Sequence, residues 1–266
     1  MSRIGALLAK DLADLRRNPG VFTPAVLTGL IALALPFAIA VGIPHVTGER
    51  LSDSSDFRDV VEAYRMVPQG SLDEEDAVRA WIFQQFLVLL ALSPIAASMS
   101  VAAYSVIGEK QARTLEPLLA TPITTFELLS AKVLASLLPA LALTLALYAS
   151  YLAGIALLAG APVARALLAP QPLAMMFLLA PLAALAALQL AVCVSARVND
   201  ARSAQQIGAL VILPLAALLV LQLLGLVTMT IPLLLALAGG LLVLNVALMW
   251  LGIALFGRES ILTRWS

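Results

Sequence analysis

The stretch VIGEKQARTLEPLLATPITTFELLSAKVL, residues 106–134, carries six charged side chains: Glu109, Lys110, Arg113, Glu116, Glu127 and Lys132. On either side lie the runs 82–107 and 133–157, which contain no Asp, Glu, Lys or Arg. Each is longer than the roughly 20 apolar residues needed to cross about 30 Å of hydrocarbon. The stretch therefore reads as two membrane-crossing helices joined by a compact charged hairpin.

The same pattern recurs along the chain. Residues 21–43, 173–196, 206–227 and 232–256 are also apolar and charge-free, which makes six expected spans. Every charge falls in the connections and tails. The composition agrees: 62% hydrophobic and 12% charged residues, with a mean hydropathy of +1.00, place the chain in a membrane, since soluble domains are nearer half apolar and a quarter charged. The reading is an all-α integral membrane protein with a short N-terminal helix, 1–20, and a six-helix domain, 21–266.

Lysine and arginine set the orientation. Six spans put both termini on one side. The tails and the connections 108–132 and 197–205 on that side carry eleven basic residues, against five on the other. Both termini and the hairpin are therefore expected in the cytoplasm. Residues 4–15 place Ile4, Leu7, Leu8, Leu12 and Leu15 on one helical face, ending at Asn18-Pro19-Gly20. This predicts an amphipathic helix lying against lipid headgroups; the alternative is a plain basic tail. The tail has no cleaved-signal pattern, because Asp11 and Asp14 interrupt its apolar run. The connection 44–80 holds nine acids against four arginines. It predicts a small outer cap, with a stripe of Phe57, Val60, Val61 and Tyr64, and a capping box headed by Ser71 that opens the helix of the second span.

The residues that are missing narrow the function. Transporters driven by a proton or cation gradient carry ionisable groups inside their spans, and these spans have none. Their polar side chains are amides and hydroxyls, among them Gln84, Gln85, Gln189, Gln222, Asn245, Tyr148 and Tyr151, which predict hydrogen bonds between helices. His45 is the only histidine and Cys193 the only cysteine. A histidine metal cluster, a catalytic triad and a disulfide are thereby excluded, and Cys193 reads as a packing residue. No Walker-type phosphate loop occurs. Zero net charge gives no case for nucleic acid. Energy for any work must then arrive from another polypeptide, through a surface that receives it.

The hairpin is the candidate receiver. Leu115, Leu118 and Leu119 form an i, i+3, i+4 patch beside Arg113 and Glu116, Thr121-Pro122 breaks the element, and Thr124-Thr125-Phe126-Glu127 is a capping-box pattern for the next helix. Such a leucine knob suits a helix-in-groove contact with a soluble partner. From the residues alone, a solvated loop whose leucines fold back on the bilayer fits equally.

The run from Glu109 to Pro122, EKQARTLEPLLATP, followed by Glu127-Leu128-Leu129 and Lys132, resembles the signature of ABC-2 type permeases, the membrane subunits of a class of ATP-binding-cassette exporters. The turn SARVNDARSAQQIG from Ser195 is similar to the turn after the fourth span in that family. Two positions depart from the pattern: Arg113 and Ala131 stand where glycine is usual. The resemblance implies a permease that pairs with a second permease subunit, as homodimer or heterodimer, in a bacterial or archaeal inner membrane. It implies a separate cytoplasmic ATPase that holds the ATP and Mg, with no cofactor in this chain. Glu109, Arg113, Thr114, Leu115, Glu116, Leu118, Leu119 and Pro122 would be the coupling region, with Leu118 and Leu119 as apolar anchors and the charges setting orientation. A different reading is a non-transporting scaffold that uses the same ATPase to assemble or extract a membrane or outer-face protein, with 44–80 as its working surface.

Overall fold

The structure, a computed structural model, describes residues 3–66, 72–111, 124–195, 206–207, 210, 212–224 and 226–255. Twelve α-helices lie in this part: α1 (Arg3–Arg17), α2 (Thr23–Phe37), α3 (Ile43–Thr47), α4 (Arg58–Met66), α5 (Glu74–Gln85), α6 (Leu87–Gln111), α7 (Thr125–Leu158), α8 (Ala161–Ala166), α9 (Pro170–Ala174), α10 (Ala180–Ser195), α11 (Ile212–Leu223) and α12 (Ile231–Leu255). Among the described residues there is no strand. Five helical stretches are long and apolar enough to cross a membrane: Pro19–Thr47, Glu74–Ala102, Thr125–Leu158, Pro170–Ser195 and Ile231–Leu255. They cover five of the six expected spans. The remaining one, 206–227, is described only in part, chiefly as α11.

The spanning helices overrun the boundaries that charge alone suggested. The second begins at Glu74 and the third at Thr125, so both carry charged residues within about their first two turns. One of these, Lys132, is almost wholly buried at 2% exposure, where the sequence placed it in a solvated connection.

Helix α6 is the centre of the bundle. Lipid tails are as apolar as leucine, so helices in a membrane associate through close packing and hydrogen bonds rather than by escaping water. Close packing requires small residues, and α6 and α10 supply them. Ala91, Ser93, Ala96, Ala97, Ser98, Ser100 and Ala102 are buried on one, and Ala180, Ala183, Ala184, Ala186, Ala187 and Ala191 on the other. The Ser98 hydroxyl donates across the seam to the Ala184 carbonyl at 3.1 Å. Further along, Ala102 packs with Leu188 and Val192, so the two helices run parallel.

Two prolines leave a mark on the backbone. A helical proline lacks the donor for the carbonyl four residues back, and its ring collides with that carbonyl. Pro44 and Pro181 point in this way to Ala40 and Phe177. Wide π-type turns occupy Ala38–Gly42 and Met175–Leu179, each centred on the carbonyl in question. The looser i→i+5 pattern gives that carbonyl room. Pro36, Pro94 and Pro139 instead sit within continuous α-helix.

Most of the membrane amides and phenols bond between elements, as expected. Tyr151 donates to the Phe83 carbonyl at 2.9 Å, beside the joint between α5 and α6. Tyr148 donates to Leu167 at 2.8 Å and Gln84 to Ala166 at 3.3 Å. Both acceptors lie at the C-terminal end of short α8, where carbonyls run out of intrahelical partners. Gln222 of α11 donates to Gln85, and Asn245 of α12 to Leu182 of α10 at 3.0 Å. Cys193 is buried with its sulfur 3.6 Å from the Leu248 carbonyl, as a packing residue. The rings of Phe37, Phe83 and Tyr151 form a mutual cluster with centroids 5.0–5.7 Å apart.

The described residues of the connection 44–80 pack on the bundle. Leu51 and Val61 are buried in the main core beside Val78 and Ile82, Phe57 meets Trp81 edge to face, and the Ser52 amide donates to Glu75 at 3.1 Å. The helix starts later than the expected box. Asp73 is the N-cap and its carboxylate accepts from the Glu74 amide at 2.9 Å, while Ser71 lies outside the described residues.

Helix α2 reaches α7 only because glycine faces it. A Cβ on Gly154 would lie 2.8 Å from the Phe37 ring, and one on Gly29 2.5 Å from Leu147. The Phe37 ring cannot swing aside, since Phe83 and Tyr151 hold it. Gly154→Val is expected to cost about 1–3 kcal/mol through overpacking and to lower the melting temperature of the detergent-solubilised protein. Gly239→Ala and Gly240→Ala, where nothing lies within 4 Å of the new methyl, should melt like the parent. Equal melting of all three variants would refute this account of the contact.

Candidate functional site

Arg113, Thr114, Leu115, Glu116, Leu118, Leu119 and Pro122 lie outside the described residues, as does most of the turn after Ser195. Glu109 falls on the last described turn of α6. The described part of the site is its foundation: the two helices that lead into and out of 112–123, and what holds them.

The leading helix is α6, which runs unbroken to Gln111. The returning helix, α7, begins with the expected capping box. Thr124 Oγ1 accepts from the Glu127 amide at 3.2 Å, and a Glu127 carboxylate oxygen accepts from the Thr124 amide at 2.8 Å. Two of the four amides that a helix start leaves without partners are thus satisfied. The acid also sits at the positive end of the helix dipole. The chain therefore leaves 112–123 through a fixed, not a frayed, turn.

Two turns further in, the legs are tied. Lys132 Nζ donates to Ser105 Oγ of α6 at 3.0 Å and lies 3.9 Å from a carboxylate oxygen of Asp11 on α1. Asp11 is 7% exposed, and Lys10 approaches its other oxygen at 3.6 Å. Around this pair, Ile4 and Leu7 of α1 pack on Leu128 and Ala131 of α7. The opposite side of the α7 foot, Leu129 and Val133, packs with Ala102, Leu188 and Val192. The apolar face of α1 thus rests at least partly on protein, where the sequence suggested headgroups.

Ala131, which stands in a usual glycine position, is fully buried against α1. Its methyl is part of that packing. The sequence reading missed the role of Asp11, although the signal was present. Asp11 lies four residues from both Leu7 and Leu15, which are buried on α1, and so places an acid in the middle of an apolar stripe. An acid there requires a buried partner.

A second feature is a cleft of about 290 Å³ between α10, α11 and α12, lined by residues such as Leu179, Ala183, Leu218, Leu237 and Leu241. Its walls are hydrocarbon. Gln84, Gln85, Gln222 and Asn245, which bond between elements elsewhere, do not line it.

A comparison with protein families matches residues 6–254 to the model described as ABC-2 family transporter protein. The chain belongs to the ABC-2 transporter family. No curated protein and no solved structure matches it. As an ABC-2 permease it is a multi-pass membrane subunit for transport and not itself the catalyst, and the family in general works with an ATPase. In this ABC-2 permease the signature lysine, Lys132, faces inward to α1 and α6.

The cap at Thr124 gives a local test. Thr124→Ala removes about 1 kcal/mol from the first turn of α7. Hydrogen exchange of the peptide covering 124–130 in the purified permease should then quicken about five-fold, while α12 is unchanged. Unaltered exchange at 124–130 would show that the box does not set the helix start.

Proposed function

We propose that this permease forms the translocation path of an exporter and is worked by a separate cytoplasmic ATPase that grips the hairpin 108–132. The supporting observation is the family match over residues 6–254 on a chain whose hairpin legs continue two bundle helices, one of them started by a satisfied capping box. A push on the hairpin then reaches α6, the helix against which α2, α7 and α10 all pack. Leu118 and Leu119 are the apolar anchors. Glu109, Arg113 and Glu116 orient the contact, with Thr114, Leu115 and Pro122 shaping the element. Two permease subunits pair in an inner membrane with both termini in the cytoplasm, and ATP and Mg stay on the ATPase.

Leu118→Asp with Leu119→Asp should leave the protein inserted and folded but abolish co-purification of the ATPase in mild detergent. Undiminished co-purification overturns the coupling role.

The scaffold reading draws support from one feature, the cap, which is built into the core through Leu51 and Val61. Removing it would unseat the bundle, so exposed acids are the better probe. Asp53→Asn, Asp59→Asn and Glu62→Gln change side chains that face outward. An exporter with an inert cap should complement a deletion strain fully when carrying all three. A scaffold working through this surface should fail to complement while still binding its ATPase.

A further inference from the structure

The cleft between α10, α11 and α12 has no part in the coupling reading, and its chemistry is uniform. Leu179 and Ala183 of α10 are its buried floor, while α12 supplies Leu237, Leu241 and Leu244 and α11 supplies Leu218. No side chain in the lining can give or accept a hydrogen bond. Water, which needs about two to four polar partners, has nothing to hold it there.

The cleft stays open because of what holds its walls. α11 and α12 follow one another in the chain, yet each is fastened to a different partner. α11 packs on α6 and α5, and Gln222 ties it to Gln85. α12 packs on α10 and on the wide turn Met175–Leu179, and Asn245 ties it to the Leu182 carbonyl at 3.0 Å. Drawing the two walls together would strain one of these ties, and hydrocarbon offers a parted amide no replacement. The gap is therefore built in. Left empty, it would forfeit dispersion contacts for every side chain around it.

Depth and size indicate what fills it. Leu237 and Leu244 lie about 9 and 20 Å along α12 from Ile231, in a helix about 37 Å long at 1.5 Å per residue. The cleft thus sits in the middle of the span, away from the headgroups at either surface. Its mouth opens outward, since Leu210 and Leu244 of its lining are 56% and 41% exposed, and what surrounds a span at that depth is lipid tail. The volume is about 290 Å³. That is roughly twice the ~150 Å³ apolar cavity that takes up one benzene, so there is room for on the order of a dozen carbons. A neighbouring helix, about 10–12 Å across with its side chains, could roof such a cleft but not enter it. We propose that the cleft binds one hydrocarbon tail of a bilayer phospholipid, which serves as the packing between the last two spans. The headgroup stays at the membrane surface, and the tail takes the place of side chains that α11 and α12 do not bring to one another.

The test uses the full permease chain in proteoliposomes of phosphatidylethanolamine and phosphatidylglycerol, with a trace of phosphatidylcholine carrying a diazirine midway along one acyl chain. The protein is extracted into mild detergent and washed before photolysis, so that only lipid retained on the protein is cross-linked. Labelled peptides are then mapped by mass spectrometry. In the parent, label should concentrate on the peptides that include Leu218 and Leu241, at least five-fold above those that include Leu30 and Leu145, which face outward. Leu241→Trp places a larger side chain in the cleft and should lower the label at Leu218 at least five-fold. Leu145→Trp, on the outward face, should leave it unchanged. Leu218→Asn puts an unpartnered amide in the cleft lining and should lower the label at Leu241 to the same extent. Its result decides the matter alone if Leu241→Trp does not elute as a folded protein.

Label spread evenly over the outward-facing peptides overturns the proposal, because it marks only the lipid layer that coats any span. Cleft label that survives either cleft substitution in a folded protein overturns it as well. So does a Leu244→Cys variant that forms a disulfide-linked dimer in the membrane while the cleft takes up no label, which would assign the cleft to a second copy of the chain. The native Cys193 is buried and does not confuse that reading. No ATPase is present in the experiment, so its outcome is independent of the coupling role of the hairpin.

Discussion

Hydrocarbon offers a polar group no partner and gives two apolar helices no reason to prefer one another over lipid. The bundle is built around that double constraint. Helices approach closely where side chains are small, along the alanine and serine seam of α6 and α10. They are held where a side chain donates to a carbonyl or amide on another element, as Tyr151, Tyr148, Gln84, Gln222 and Asn245 do. Each such bond contributes about 0.6–2 kcal/mol. They gather at places where the backbone needs a donor, the end of α8 and the joint beside Phe83.

The hairpin end follows a different rule. Charge there is drawn inward. A lysine and an aspartate, both nearly excluded from solvent, lie at the meeting point of α1, α6 and α7. Removing one partner of a buried pair costs on the order of 3–5 kcal/mol, although the intact pair need not outperform an apolar substitute. Such an arrangement specifies which elements meet more than it adds stability. In this permease the elements so specified are the helices that lead into and out of 112–123 and the helix that enters the first span.

How much of this could be read in the sequence depended on the reach of each signal. The spans were legible because charge exclusion acts over about 20 residues at once. The capping box at Thr124 was legible because both partners lie within four residues. The start of α5 was misread by two positions: Ser71, Asp73 and Glu74 offer overlapping cap patterns, and only the backbone chooses Asp73. The tie between Asp11 and Lys132 spans more than a hundred residues, and no local pattern contains both. Half of it was nevertheless visible, since an acid on the apolar stripe of α1 demands a partner. The wide turns near Pro44 and Pro181 also went unread, because Pro36, Pro94 and Pro139 look the same in sequence and leave the helix α.

Those wide turns have a consequence for the helices that contain them. A π-type turn houses one residue more than the α-helix around it, so the side chains beyond it are rotated by about 100° relative to an uninterrupted helix. In the fourth span, the residues before Met175–Leu179 and those after it therefore answer to two different phases. The later phase is the one that presents the small side chains of α10 to α6. A single-residue deletion inside Met175–Leu179 would be absorbed by restoring ordinary helix pitch. The same deletion a few positions later would turn the alanine seam away from its partner. Length variation in this span should thus be tolerated at the bulge and nowhere else along it.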